Sequence, residues 1–214
     1  MEDRNVGITI DRGLAKGVKR VHGLNPVLLV EKILRERIQD SQQWMARVSN
    51  MSFWDVLREA CLNLTLVGTY INTGKTRVSL FMMLLLRLLQ LPKIDDDIVE
   101  WLVTGDHGYK YATVLFMVYA RIMWEDSKSI YLLLEQKLDD YRKIKVFNGM
   151  KFELTTIDQI ADDLLICKSF FGMSLPKLIN RWILEDSGDL EERESKLAEE
   201  FEKQLEEAES DDNL

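Results

Sequence analysis

The chain has 214 residues, 46% of them hydrophobic and 30% charged, with a formal net charge of −8. That is enough apolar material for one sizeable core, while the longest apolar run, VSLFMMLLLRLLQL from Val78, spans only 14 residues, carries Arg87 and Gln90, and falls short of the ~20 needed to cross a bilayer. Residues 186–214 hold 13 acidic and 3 basic side chains and the rest holds 23 acidic and 25 basic, so the body is close to neutral, which argues against a strong nucleic-acid binder.

Three prolines and eleven glycines punctuate long periodic runs, a pattern that predicts an all-α, single multi-helix domain rather than a sandwich or barrel. The expected organisation is a flexible arm over residues 1–20, a helical domain over 21–186 and an acidic, partly helical tail over 187–214. Asn25-Pro26 signals a helix start, because Asn can cap orphan N–H groups and Pro has none to lose. Leu28, Leu29, Ile33, Leu34 and Ile38 would then form the buried side of PVLLVEKILRERIQDS. Ser52 with Asp55 approximates a capping box, opening a helix that buries Phe53, Val56, Leu57, Ala60, Leu64 and Val67.

An interhelical loop containing Gly74-Lys75-Thr76 follows, and then a helix over roughly 76–91 that is apolar on nearly every side and is expected at the centre of the core. DDDIVEWLV places acids at a helix start and Gly105 at its end; YKYATVLFMVYARIMW and SKSIYLLLEQKLDDYRK continue the helical pattern. The period breaks at KVFNGMKFELT. Asn148-Gly149 suits a tight turn, so one small β-hairpin is expected near residues 145–154, pairing Lys145–Phe147 with Lys151–Leu154. Thr156 with Gln159 reads as a second capping box, and Ser174-Leu175-Pro176 as the start of a last helix, LPKLINRWILED. The acidic remainder carries a sparse stripe of Leu190, Leu197, Phe201 and Leu205, read as a solvated tail or as a docking helix for a partner.

Chemistry is scarce. GKT resembles part of a phosphate-binding loop, but Gly68 and Gly74 are separated by five residues where four are needed, and a helix rather than a strand is expected upstream. Two histidines, His22 and His107, and two cysteines, Cys61 and Cys167, share no metal-ligand spacing. No metal, cofactor or catalytic residue is therefore expected. Both thiols read as reduced and buried, and no secretory leader pattern opens the chain, so secretion is not expected.

Four segments carry a resemblance. HGLNPVLLVEKILRERI at 22–38, DYRKIK at 140–145, FELTTIDQIADDLL at 152–165 and LPKLINRWILE at 175–185 are together similar to the pre-mRNA-splicing factor 38 family, in matching order and over roughly residues 20–186. The resemblance implies a nuclear, non-catalytic splicing factor: a scaffold of the spliceosome, associated with the tri-snRNP and needed for activation. It also implies partners, namely single-helix segments of a microfibrillar-associated-protein homologue and a zinc-finger splicing protein, with RNA contact inside the assembly and no membrane. His22, Gly23, Asn25, Pro26 and Tyr141 match the family motif in structural roles, whereas Arg142, Lys143 and Lys145 are candidates for partner or RNA contact. A groove beside the apolar helices of residues 76–124 is expected to take a partner helix. An autonomous RNA-binding module and a P-loop-like nucleotide-binding protein stay open as alternatives.

Overall fold

The computed structural model describes residues 20–72, 76–147 and 149–193. The Lys75 side of the GKT motif, Asn148 of the expected turn, nearly all of the N-terminal arm and most of the acidic tail lie outside the described residues. The chain divides into two units, Met1–Leu178 and Ile179–Leu214.

Val21 and Leu24 open the first unit as a tight turn, exchanging both backbone hydrogen bonds at 2.9 and 3.0 Å. Its central residues, His22 and Gly23, both have positive φ (50° and 76°), as a turn of this kind demands. Asn25 then caps a turn of 3-10 helix at Pro26–Leu29, accepting the Val27 N–H, and the α-helix proper, α1, covers Lys32–Gln39. Leu34 and Ile38 are buried as expected, but Leu28 and Ile33 are exposed: the 3-10 turn and the break after it shift the phase of the apolar stripe. Helix α2 (Gln42–Ala46) and helix α3 (Phe53–Asn63) follow. The Ser52–Asp55 capping box forms reciprocally at the start of α3.

The expectation of an all-α domain with one hairpin is corrected here. The described residues form three small sheets beside the helices. α3 stops at Asn63, and Val67, expected on its buried face, belongs instead to strand β1 (Val67–Gly68). The residues either side of Gly74-Lys75 are strands β2 (Tyr70–Asn72) and β3 (Thr76–Val78), paired antiparallel with Tyr70 opposite Val78. β-Branched Ile71, Thr76 and Val78 favour that pairing over a helix. The next helix, α4 (Leu80–Gln90), therefore starts later than expected, with buried Ser79 as its cap.

Helix α5 (Asp96–Thr104) ends at Gly105, α6 covers Lys110–Met123 and α7 covers Ser127–Glu135. α4 is buried at eight positions, yet α6 is the more central of the two. Every α6 residue from Ala112 to Met123 is buried, and α6 packs against α3, α4, α5, α7 and the later helix α8 (Ile157–Ile166). The same apolar sequence on all sides that marked α4 produces this burial.

Strand β4 (Lys143–Phe147) pairs antiparallel with β5 (Phe152–Thr156) and parallel with β1, giving a sheet in the order β1-β4-β5. The hairpin is thus longer than the sequence suggested and is embedded in a mixed sheet. Thr156 precedes α8 but makes no side-chain cap bond, and Gln159 bonds Asp163 instead, so the second capping box does not form. Strands β6 (Ser169–Phe170) and β7 (Met173–Ser174) complete this unit. Cys61 is half-buried and Cys167 exposed, which corrects the expectation of two buried thiols.

In the second unit the helix expected from Leu175 is confined to α9, Arg181–Asp186. It closes on Gly188, in left-handed conformation (φ 76°), whose N–H bonds the Glu185 carbonyl.

Candidate functional site

The DYRKIK segment lies where α7 gives way to β4, not at a helix C-terminus. The roles of its three cations divide. Arg142 donates Nε and Nη2 to the two carboxylate oxygens of Asp140 at 2.8 and 2.6 Å, and Nη1 to the His107 carbonyl at 3.2 Å. Its guanidinium is held above its ordinary range chiefly by the hydrogen bond to Asp140. Burial pushes the Asp140 carboxyl up, but the bonds from Arg142 more than reverse this and leave it below its usual value. His107 is fixed in turn by Nε2–H donated to the Leu102 carbonyl at 2.7 Å and lies between the rings of Trp101 and Tyr109. Arg142 therefore clamps the connection between α5 and α6 to the entry of β4.

Lys143 and Lys145 are exposed on the outer face of β4. Their main chains are anchored, the Lys143 carbonyl by the Lys110 ammonium and the Lys145 N–H by the Tyr111 hydroxyl. The Lys145 ammonium lies 4.3 Å from the ring centre of Phe152 on β5, and Phe152 in turn contacts Phe147. Tyr141 is 69% exposed. Lys110, Tyr111 and Phe152 are not singled out by the sequence; the available signal is the alternation of Lys143 and Lys145 about buried Ile144, which extends the expected strand back from Lys145 to Lys143. His22, Gly23, Asn25 and Pro26 form the turn and cap at the start of the unit, far in sequence from this strand.

The apolar helices α4 and α6 are core, so the groove expected beside residues 76–124 cannot be lined along their length. A cavity of about 1040 Å³ opens instead at the start of α4, between α1 and α2 on one side and the β2–β3 pair on the other. Leu80, Met83 and Ala46 contribute apolar wall, while Arg37, lying 5.5 Å from the centre of the Tyr70 ring, and Arg77 supply cationic edges. β2 and β3 are antiparallel strands, whereas a phosphate-binding loop joins a strand to the N-terminus of a helix. The described residues thus give the GKT motif the wrong framework. Among the described residues no group of His, Cys, Asp and Glu could hold a metal ion, and no helix is long and apolar enough to cross a membrane.

Residues 19–188 match the model of the PRP38 family. Pre-mRNA-splicing factor 38A of Homo sapiens is 34% identical over 187 residues, which are 87% of this chain and 58% of that protein. Pre-mRNA-splicing factor 38 of Arabidopsis thaliana is 33% identical over 186 residues, 86% of this chain and 51% of that protein. The chain thus spans little more than half the length of these relatives. A solved structure, the crystal structure of the Snu23-Prp38-MFAP1(217-258) complex of Chaetomium thermophilum, contains a chain with a TM-score of 0.77 and 32% identity; the match covers 89% of this chain and 99% of that one.

Proposed function

The chain belongs to the PRP38 family, and on that premise we propose that it is a non-catalytic pre-mRNA splicing factor, a nuclear scaffold that holds other spliceosomal proteins. It works with the tri-snRNP during activation, and its partners are of the kind seen with its solved relative, a Snu23-like protein and a segment like that of MFAP1. The observation that supports this reading most is the likeness, over almost all of the relative's chain, to a Prp38 crystallised with those two proteins. The cavity at the start of α4, with apolar Ala46, Leu80 and Met83 beside Arg37, Arg77 and the polar Ser41, Gln42 and Gln43, has the mix of apolar wall and polar anchors that a docking helix needs. Affinity purification of the tagged protein from its native nuclear extract, at low and high salt, tests the reading. Expected are tri-snRNP proteins and small nuclear RNAs at low salt, and a protein partner that survives high salt. Recovery of no splicing component at either salt would refute it.

A second reading, RNA contact within the assembly, is favoured by Lys143 and Lys145 beside the exposed Phe152 ring on one strand face. Its mark is a cross-link from these lysines to RNA in the purified particle.

A further inference from the structure

A second cavity, of about 380 Å³, lies between α5, the C-terminal end of α6 and α7. Its floor is apolar, made by Met123, Trp124 and Leu133, all buried. Among the described residues its rim carries four carboxylates, Asp96, Glu100, Glu125 and Asp126, against one cation, Lys93. We propose that this cavity binds an arginine side chain presented by a peptide segment of a partner protein, with the aliphatic stem on the floor and the guanidinium among the rim carboxylates.

Three observations favour that guest. Lys93 already sits 2.7 Å from Asp96, so one corner of the rim holds an ammonium while the other acids keep an excess of negative charge. Asp126 is fixed as the cap of α7, accepting the Ser129 hydroxyl and the N–H groups of Lys128 and Ser129, and these bonds, the Ser129 hydroxyl foremost, hold its carboxyl below the usual range. Trp124, only 7% exposed, is one of the residues lining the cavity, and its buried indole N–H has no hydrogen-bond partner among the described residues.

Each feature narrows the chemistry. An apolar guest would strip water from carboxylates without pairing them, which is unfavourable. A metal ion would need converging ligands, and none converge among the described residues. A cationic side chain pairs the rim and covers the floor with its stem. Arginine suits the site better than lysine, because its planar fork can bridge two carboxylates and stack on an indole.

This inference rests on the scaffold reading only in taking the guest from a protein partner. The test uses the full chain labelled with ¹⁵N at tryptophan and a probe peptide, acetyl-Ala-Leu-Ala-Arg-Ala-Leu-Ala-amide, alongside the same peptide with neutral citrulline for arginine. The Trp124 indole resonance, assigned with Trp124→Phe, is expected to shift saturably with the arginine peptide and to need about tenfold or more of the citrulline peptide. Glu100→Gln with Glu125→Gln, two rim changes that leave the α7 cap intact, should weaken the arginine peptide similarly while Tm stays unchanged. An unmoved resonance at millimolar peptide, equal affinity for citrulline, or full affinity in the double variant would each overturn the proposal. Failure here alongside recovery of splicing proteins from extract would remove the pocket and leave the scaffold; the reverse pair of results would do the opposite.

Discussion

Arg121 lies inside α6 with 2% exposure and no carboxylate partner among the described residues. It donates Nε to the Leu164 carbonyl at 2.8 Å and Nη2 to the Pro176 carbonyl at 2.6 Å, tying the end of α8 and the chain beyond β7 to the central helix. Arg121→Lys keeps the charge but cannot fork to both carbonyls, so it should cost about 1–3 kcal/mol in urea denaturation. Two buried ionisable groups on this helix couple stability to pH in opposite directions. Burial pushes the Tyr119 phenol up to about 12, whereas an unfolded tyrosine ionises near pH 10. Unfolding therefore releases a proton in that window, and Tyr119's contribution to stability is lost as pH rises from about 10 to 12. Burial also pulls Arg121 down to about 10; its unfolded form holds the proton longer, so its contribution runs the other way. Tyr119→Phe loses the hydrogen bond that the Ile94 N–H gives the phenol at 3.1 Å and should be about 1 kcal/mol less stable than the parent at pH 8. That deficit should shrink or reverse by pH 11, measured by urea denaturation at each pH; an unchanged deficit would mean the phenol titrates normally.

At the scale of elements, the junction of β1 with α4 repays testing. Ser79 is fully buried; its hydroxyl accepts the Met82 N–H at 3.2 Å and donates to the Gly68 carbonyl. Ser79→Ala removes a cap and a strand anchor together, and should destabilise by about 2 kcal/mol in thermal or urea unfolding. Gly68 has φ +148°, and a Cβ there would meet the Phe147 carbonyl oxygen at 2.7 Å. Gly68→Ala must displace β1 from β4, with faster amide exchange at Val146 and Phe147 as the expected readout. Neither role was legible in the sequence. Apolar spacing and capping residues revealed α3, α4, α5, α6 and the Asn25 cap, because those signals are local. β1 is two residues long and pairs with a strand far away in sequence, so no window around Val67 could reveal it. Lys145 is in a strand as expected, whereas Lys143 was assigned to a helix because DDYRK continues a helical composition past Glu135, where α7 stops.

For the whole molecule, the candidate contacts are separable from the fold. Lys143 and Lys145 point away from the core, while Arg142 is bonded to Asp140 and the His107 carbonyl. Lys143→Glu with Lys145→Glu should leave Tm within about a degree or two, yet reduce recovery of splicing components from extract; a large drop in Tm would reassign both residues to the fold. Arg142→Ala should behave oppositely, costing about 1–2 kcal/mol through the bonds lost to Asp140 and to the His107 carbonyl, with Lys137, 3.8 Å from Asp140, left as that carboxylate's cation. The family segments located this region in the sequence, but the division between clamp and contact needed the hydrogen-bond partners of each cation. The mixed sheet has one more consequence. Val67 lies opposite Val146, so a nascent chain emerging at about 5–20 residues per second must wait roughly 4–16 seconds after β1 is made before its partner strand exists. During that interval on the ribosome the helices between them can assemble with the edge of β1 still vacant, which makes closure of this sheet a late event in the protein's biosynthesis.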